Sequence, residues 1–270
     1  EYDIDNDWWT QRADMPGTVR NAATGFSVGS KGYVTTGYNP DQKYLSDTWE
    51  YNPETNSWRQ MDDFKGGARY YALGFGIDNY GYVGTGYNDN YLKDFYRFDP
   101  TATAGSQWTI VNGFGGQKRQ GGTAFVIDGK AYVCGGQNNN SDVSDFWCFD
   151  PSAATPWTQL RDIANTSDDD YDDDYTSIVR SYGVSFVIDG KAYLTLGSTA
   201  GGSYYSNYWI YDPATDLWEG DDLTAFEGST RIHAVCFSTG TRGIVATGGS
   251  GSSSYFDDTW ELKPYEYEEE

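Results

Sequence analysis

Among its 270 residues the chain has one histidine, two methionines, three cysteines and 18 basic residues. Each shortage removes a class of chemistry. With His233 alone, a zinc or copper centre built on several imidazoles cannot form. A Ser-His-Asp or Cys-His site would have to use that same residue, and no nucleophile-elbow signal accompanies it. There is neither a phosphate-binding P-loop nor a dinucleotide fingerprint. An odd cysteine count in a chain this long makes no disulfide framework and leaves at least one free thiol. The basic residues face 40 acidic ones, for a formal charge of −22. That charge repels nucleic-acid phosphates and anionic membrane surfaces, and suits a soluble protein that meets neutral ligands or cations. No apolar run approaches a membrane-spanning length, and no basic stretch leads into an apolar one. Any export signal is therefore expected to be already gone or never to have existed, with residues 1–6 read as a polar linker.

What is abundant is aromatic: 24 Tyr, 10 Trp and 13 Phe, beside 33 Gly. A disordered acidic chain would lack them. They fall in a repeat. Arg20, Arg69, Arg119, Arg180 and Arg231 share one register. Six residues after each stands Phe26, Phe75, Phe125, Phe186 or Phe237, and seventeen after each stands Gly37, Gly86, Gly136, Gly197 or Gly248. A second block opens on Asp47, Asp94, Asp145, Asn207 and Asp258. Two residues on comes Trp49, Tyr96, Trp147, Trp209 and Trp260, and the block ends on Pro53, Pro100, Pro151, Pro213 and Pro264. A Trp then opens a short last segment: Trp58, Trp108, Trp157 and Trp218. The fifth copy has no such Trp, but Trp9-Thr10-Gln11 matches Trp157-Thr158-Gln159.

Apolar residues alternate with small or polar ones, and Gly and Pro punctuate them. Each copy therefore reads as four strands, in the first copy over 21–28, 31–37, 47–52 and 57–61. Units of about 50 residues that cannot bury both faces alone must stack, and closing the array removes its end units. The expectation is an all-β, five-bladed propeller with four-stranded antiparallel blades. Its blades lie at about 18–61, 67–111, 117–160, 178–220 and 229–264. Residues 7–12 close the last blade, and 265–270 form a tail.

The stretches Arg20…Phe26…Gly32-Tyr33-Val34-Thr35-Thr36-Gly37 and Asp47-Thr48-Trp49-Glu50-Tyr51-Asn52-Pro53…Trp58 resemble a kelch repeat. That resemblance extends over nearly the whole chain and implies a propeller that binds a ligand at the mouth of its channel. In some kelch propellers arginines at this loop hold peptide carboxylates. Others, such as galactose oxidase-like enzymes, need more histidines than exist here, while sialic-acid mutarotases show that acid–base chemistry is possible on the architecture. The acidic, Tyr- and Asn-rich style resembles exported bacterial kelch proteins, which implies a secreted, periplasmic or cell-surface location and a lipid anchor upstream of residue 1.

Comparing the copies with one another separates scaffold from site. Residues kept in every copy serve packing, so Phe at offset six and the paired aromatics are core, and Cys134 and Cys236 are small buried fillers. The five arginines have two readings. Each bonds carbonyls or the Asp that opens a third strand, or together they surround a pocket. Residues that differ between copies are the better ligand contacts: Tyr38, Tyr87 and Gln137 in the second-to-third-strand loops, and Tyr70, Tyr71, Tyr182 and His233 just after the arginines. Such side chains stack on flat faces and hydrogen-bond hydroxyls, which suits carbohydrate or peptide. The fourth copy carries an insert, 166–175, beside the same mouth. There Asp168, Asp170 and Asp172 are the candidate ligands of a calcium ion, the one cofactor considered, although charge runs are usually solvated. The leading function is a non-catalytic binding module. A sugar epimerase or mutarotase and a protein-interaction scaffold are the alternatives.

Overall fold

The computed structural model describes residues 1–220, 224–251 and 253–264. The tail at 265–270 lies outside the described residues. Five antiparallel blades are arranged about a common axis. The first contains Thr24–Val28, Lys31–Thr35, Thr48–Asn52 and Ser57–Gln60, paired in chain order from inside to outside. The second, third and fourth repeat this order, beginning at Leu73–Ile77, Thr123–Ile127 and Val184–Ile188. The fifth has three strands in its ladder: Val235–Ser238, Gly243–Ala246 and Thr259–Leu262. The only helical turn among the described residues is Asp170–Asp172. No described helix is long and apolar enough to cross a membrane.

Alternation decides which face each side chain takes. In Leu73–Ile77, residues 73, 75 and 77 are buried while the two glycines between them are half-buried. Phe26 stacks on Tyr33 of its own blade, 5.3 Å away, and meets Phe98 and Trp108 of the second. Phe75 meets Phe149, and Phe125 meets Tyr211 and Trp218, in the same way. The aromatic at offset six is thus the wedge between successive blades, and these edge-on or tilted ring pairs add roughly 0.5–1.5 kcal/mol each beyond their burial. Neighbouring blades are also sewn together near the axis. Gly37, Gly86, Gly136 and Gly197 donate backbone N–H bonds to the carbonyls of Arg69, Arg119, Arg180 and Arg231, at 2.8–3.0 Å.

The N-terminal segment departs from expectation. It lies beside the last blade but is not its fourth strand. Tyr2–Asp3 pairs with Trp8–Trp9 in a hairpin of its own. Residues 1–6 are part of that hairpin and not a loose linker. It meets the fifth blade through side chains: Trp9 Nε1 donates to Thr259 Oγ1 at 3.0 Å, and Arg242 donates to the Ile4 carbonyl at 3.2 Å. Among the described residues it makes no ladder with Thr259–Leu262.

Candidate functional site

The five arginines belong to the scaffold. Arg20 donates to both carboxylate oxygens of Asp47 at 2.6 Å, to the Thr36 carbonyl at 3.0 Å and to the Thr18 carbonyl at 2.9 Å. Arg69 repeats the pattern with Asp94, Thr85 and Gly67, and Arg231 with Asp258, Thr247 and Ser229. Arg119 uses Asp145, Gly135 and Gln117. All are buried apart from the backbone of Arg20. Their guanidinium donors are spent within the blade, as the first of the two readings expects, and the geometry provides no cationic collar for Arg20, Arg69, Arg119, Arg180 and Arg231 to form around a pocket. Third-strand tryptophans complete the unit, since Trp49 and Trp260 donate to Asp47 and Asp258 at 2.7 Å. Burial raises the Asp47 carboxyl, but bonds from Arg20 and Trp49 overcome this and hold it below the usual range. Bonds from Arg231 and Trp260 bring Asp258 down to about 2.

The fourth blade differs. Asn207 replaces the aspartate, accepting from Arg180 at 3.1 Å, while the Ser177, Ile178 and Leu196 carbonyls take the other donors. Buried without a carboxylate, Arg180 is pulled down to about 10.

One signal escaped the reading of the repeat. Five residues before three of the arginines stand Phe64, Phe114 and Phe226, each with the guanidinium over its ring at 4.9–5.6 Å. In the fourth blade Tyr175 takes this place, packed on Trp209 and accepting from the Trp218 N–H at 2.8 Å. The acidic insert is thus fastened to the two outer strands of blade four. Its carboxylates do not converge. Asp172 is buried and accepts from the Thr166 and Ser167 N–H groups and the Ser167 hydroxyl, all at 2.9 Å. Asp168 and Asp170 are exposed, and among the described residues no three acidic, His or Cys side chains are placed to hold a metal ion. Calcium ligation by Asp168, Asp170 and Asp172 is therefore not what this geometry provides.

Immediately after each arginine the chain does something else. The first following residue pairs with the start of the second-to-third-strand loop: Asn21 with Tyr38, Tyr70 with Tyr87, Gln120 with Gln137, Ser181 with Ser198 and Ile232 with Gly249. The second following residue turns into the left-handed region, at φ of 52° for Ala22, 53° for Tyr71, 61° for Gly121, 59° for Tyr182 and 60° for His233. Tyr71, Gly121 and Tyr182 are linked N–H to carbonyl around the axis, starting from Ala22, at 2.7–3.2 Å. The repeat thereby presents three variable side chains per blade on one invariant frame.

These variable residues converge. Tyr71, Tyr182 and His233, from blades two, four and five, meet with ring centroids 4.5–5.0 Å apart. The cluster continues through Tyr70 to Tyr87, Tyr38 and Tyr44, and from Tyr87 to Tyr91. All seven non-arginine residues expected at the site are therefore brought together, with Gln137 joined to Tyr182. Three others were missed. Tyr44 and Tyr91 lie in the same loops, and Gln120 sits at the offset already recognised for Tyr70. The Tyr182 hydroxyl accepts from Gln120 Nε2 at 2.8 Å and Gln137 Nε2 at 2.7 Å, leaving its own O–H proton free. Gln120 Oε1 is buried with no partner in the protein. Desolvation raises the phenols of Tyr70 and Tyr71 and takes Tyr182 up to about 12; it lowers His233. At neutral pH Tyr70, Tyr71, Tyr182 and His233 are therefore uncharged.

Comparison with known proteins agrees with the fold. The Kelch motif matches residues 20–65 and 118–160, the whole of blade one and of blade three. The chain carries the Kelch motif in two blades of a five-bladed β-propeller. Its fold is also that of the solved structure of YjhT, at a TM-score of 0.76 and 16% identity, covering 94% of this chain and 84% of that one. No curated protein matches this chain.

Proposed function

We propose that this propeller is a non-catalytic binding module that holds a neutral carbohydrate on the Tyr71–Tyr182–His233 cluster. The observation that carries the reading is the pairing of a free donor with a free acceptor beside the half-buried rings of Tyr71 and Tyr182 and the exposed ring of His233. Tyr182 has an O–H to give and Gln120 Oε1 has a bond to receive. A sugar hydroxyl does both at once, and its C–H face stacks on an aromatic ring. Charge supports a neutral ligand, because the arginines are occupied and the whole molecule repels anions. A buried polar acceptor left unpaired costs about 1–3 kcal/mol, which a bound hydroxyl relieves.

The test is a screen of neutral and acidic oligosaccharides and of peptides, followed by titration of the best binder. Tyr71→Ala removes a stacking face and should weaken binding about tenfold. Tyr182→Phe keeps the ring and should cost about threefold to tenfold. Selective capture of acidic peptides, unaffected by either substitution, would overturn the proposal.

A further inference from the structure

The loops of blades one and two place a tyrosine at the same point. Tyr44 pairs with Tyr38, and Tyr91 with Tyr87. The leucine that follows each pairs with the next arginine, Leu45 with Arg69 and Leu92 with Arg119. What each ring meets across the junction with the next blade differs. Tyr44 stacks on Tyr70 of blade two, 5.6 Å away at 14°, and meets Tyr87 edge-on at 6.5 Å and 78°. In blade three the places of Tyr70 and Tyr87 belong to Gln120 and Gln137. Tyr91 therefore has no ring to stack on across its junction. Among the described residues its one ring contact is Tyr87 of its own loop, edge-on at 5.0 Å and 70°.

Other neighbouring loops are latched to each other. The Tyr44 hydroxyl donates to Asp89 Oδ1 at 2.8 Å, the Ala200 N–H to Asp142 Oδ1 at 2.7 Å, and the Gly251 N–H to the Tyr204 hydroxyl at 2.7 Å. No such bond among the described residues joins 87–91 to 137–142. The junction between blades two and three has two unlike walls. On one side the rings of Tyr71, Tyr70, Tyr87 and Tyr91 follow one another at 4.6, 5.8 and 5.0 Å. On the other stand the amides of Gln120 and Gln137. Its floor is backbone, where the Arg119 N–H donates to the Leu92 carbonyl at 3.0 Å. Its inner end is Tyr182, whose hydroxyl accepts from both amides, and there Gln120, only 8% exposed, keeps Oε1 unpaired. Burial raises the phenols of Tyr70 and Tyr182, and the nearness of the Tyr91 phenol raises both further. Tyr91 thus borders the axial cluster as well as the rim.

We infer that the ligand is a linear chain of neutral sugar units, whose end unit sits on the Tyr71–Tyr182–His233 cluster and whose next units leave between the loops of blades two and three, stacked on Tyr91. The inference rests on the reading above that the axial cluster holds a neutral sugar. A pyranose supplies what this junction lacks. Its C–H face takes the place against Tyr91 that the Tyr70 ring takes against Tyr44, and its hydroxyl edge meets the amides opposite. The run of tyrosine rings is longer than one six-membered sugar, so a monosaccharide leaves its outer part bare. The acidic residues of the two loops, Asp89 and Asp142, favour a neutral chain over an acidic one.

The intact protein is titrated by calorimetry with linear oligomers of glucose, galactose, mannose and xylose, from the monosaccharide to the pentasaccharide. In the series that binds, affinity should rise about tenfold from the monosaccharide to the trisaccharide and then level off. Tyr91→Ala should bring those two affinities close to each other. Tyr91→Phe, which keeps the ring, should preserve the difference. A monosaccharide held as tightly as its own oligomers would overturn the inference and leave the axial reading standing. So would a gradient that Tyr91→Ala leaves intact, since the chain would then run elsewhere. Absence of binding in every series would overturn the axial reading and this inference with it.

Discussion

The arginines and the residues that follow them lie one and two positions apart in sequence, yet they do opposite work. Arg119 is buried and saturated by Asp145 and two carbonyls. Its neighbour Gln120 turns its amide to Tyr182 and keeps an acceptor unpaired. The first kind of position is the same in all five blades, and the second varies from blade to blade. Self-comparison of a repeat therefore sorts side chains by job without any relatives: sameness marks the frame, and variation marks what the frame displays.

Arg119→Ala breaks this comparison from the frame side. It leaves Asp145 buried without its partner and should destabilise the fold by about 3–5 kcal/mol in a denaturant titration. At temperatures where the variant remains folded, ligand affinity should be unchanged. If affinity falls while stability holds, the arginine belongs with the displayed residues after all. Acid should act on the frame next. Asp47 and Asp258 titrate below their unfolded values, so their contribution is present above the ordinary carboxylate range and is lost as pH falls through it, for Asp258 toward about 2. Melting followed against pH should show this decline, and Asp258→Asn should flatten part of it. Asn207→Asp sharpens the comparison by giving blade four the pair the others have. It should stabilise the protein by about 1 kcal/mol, with no effect on ligand binding. Smallest of all, calcium at millimolar concentration should leave the melt unmoved, because Asp172 is already committed to Thr166 and Ser167.

The repeat made most of the frame legible. Arg, Phe, Gly, Asp, Trp and Pro at fixed offsets located five blades, and the first strand expected at 21–28 is Thr24–Val28. The N-terminal hairpin was misread for an identifiable reason. Ile4 stands where Pro53 and Pro213 close the corresponding turns, so the match was noticed only from Trp9 onward. The site was legible as a class of positions, since Tyr70, Tyr71, Tyr182 and His233 sit on one pair of offsets. What sequence left hidden was convergence: Tyr71 and His233 are 162 positions apart in the chain, and their stacking at 5.0 Å depends on the left-handed turn each adopts. It also left open whether the arginines faced inward or outward, because the same register serves both.

Those left-handed turns set stability and recognition against each other. An L-residue with a side chain in that conformation costs about 1–2 kcal/mol relative to glycine. Blade three avoids the cost at Gly121, while Tyr71, Tyr182 and His233 bear it. Glycine at all three positions would relieve that strain and erase the aromatic cluster, so the rings that meet at the axis are held together at the expense of backbone ease.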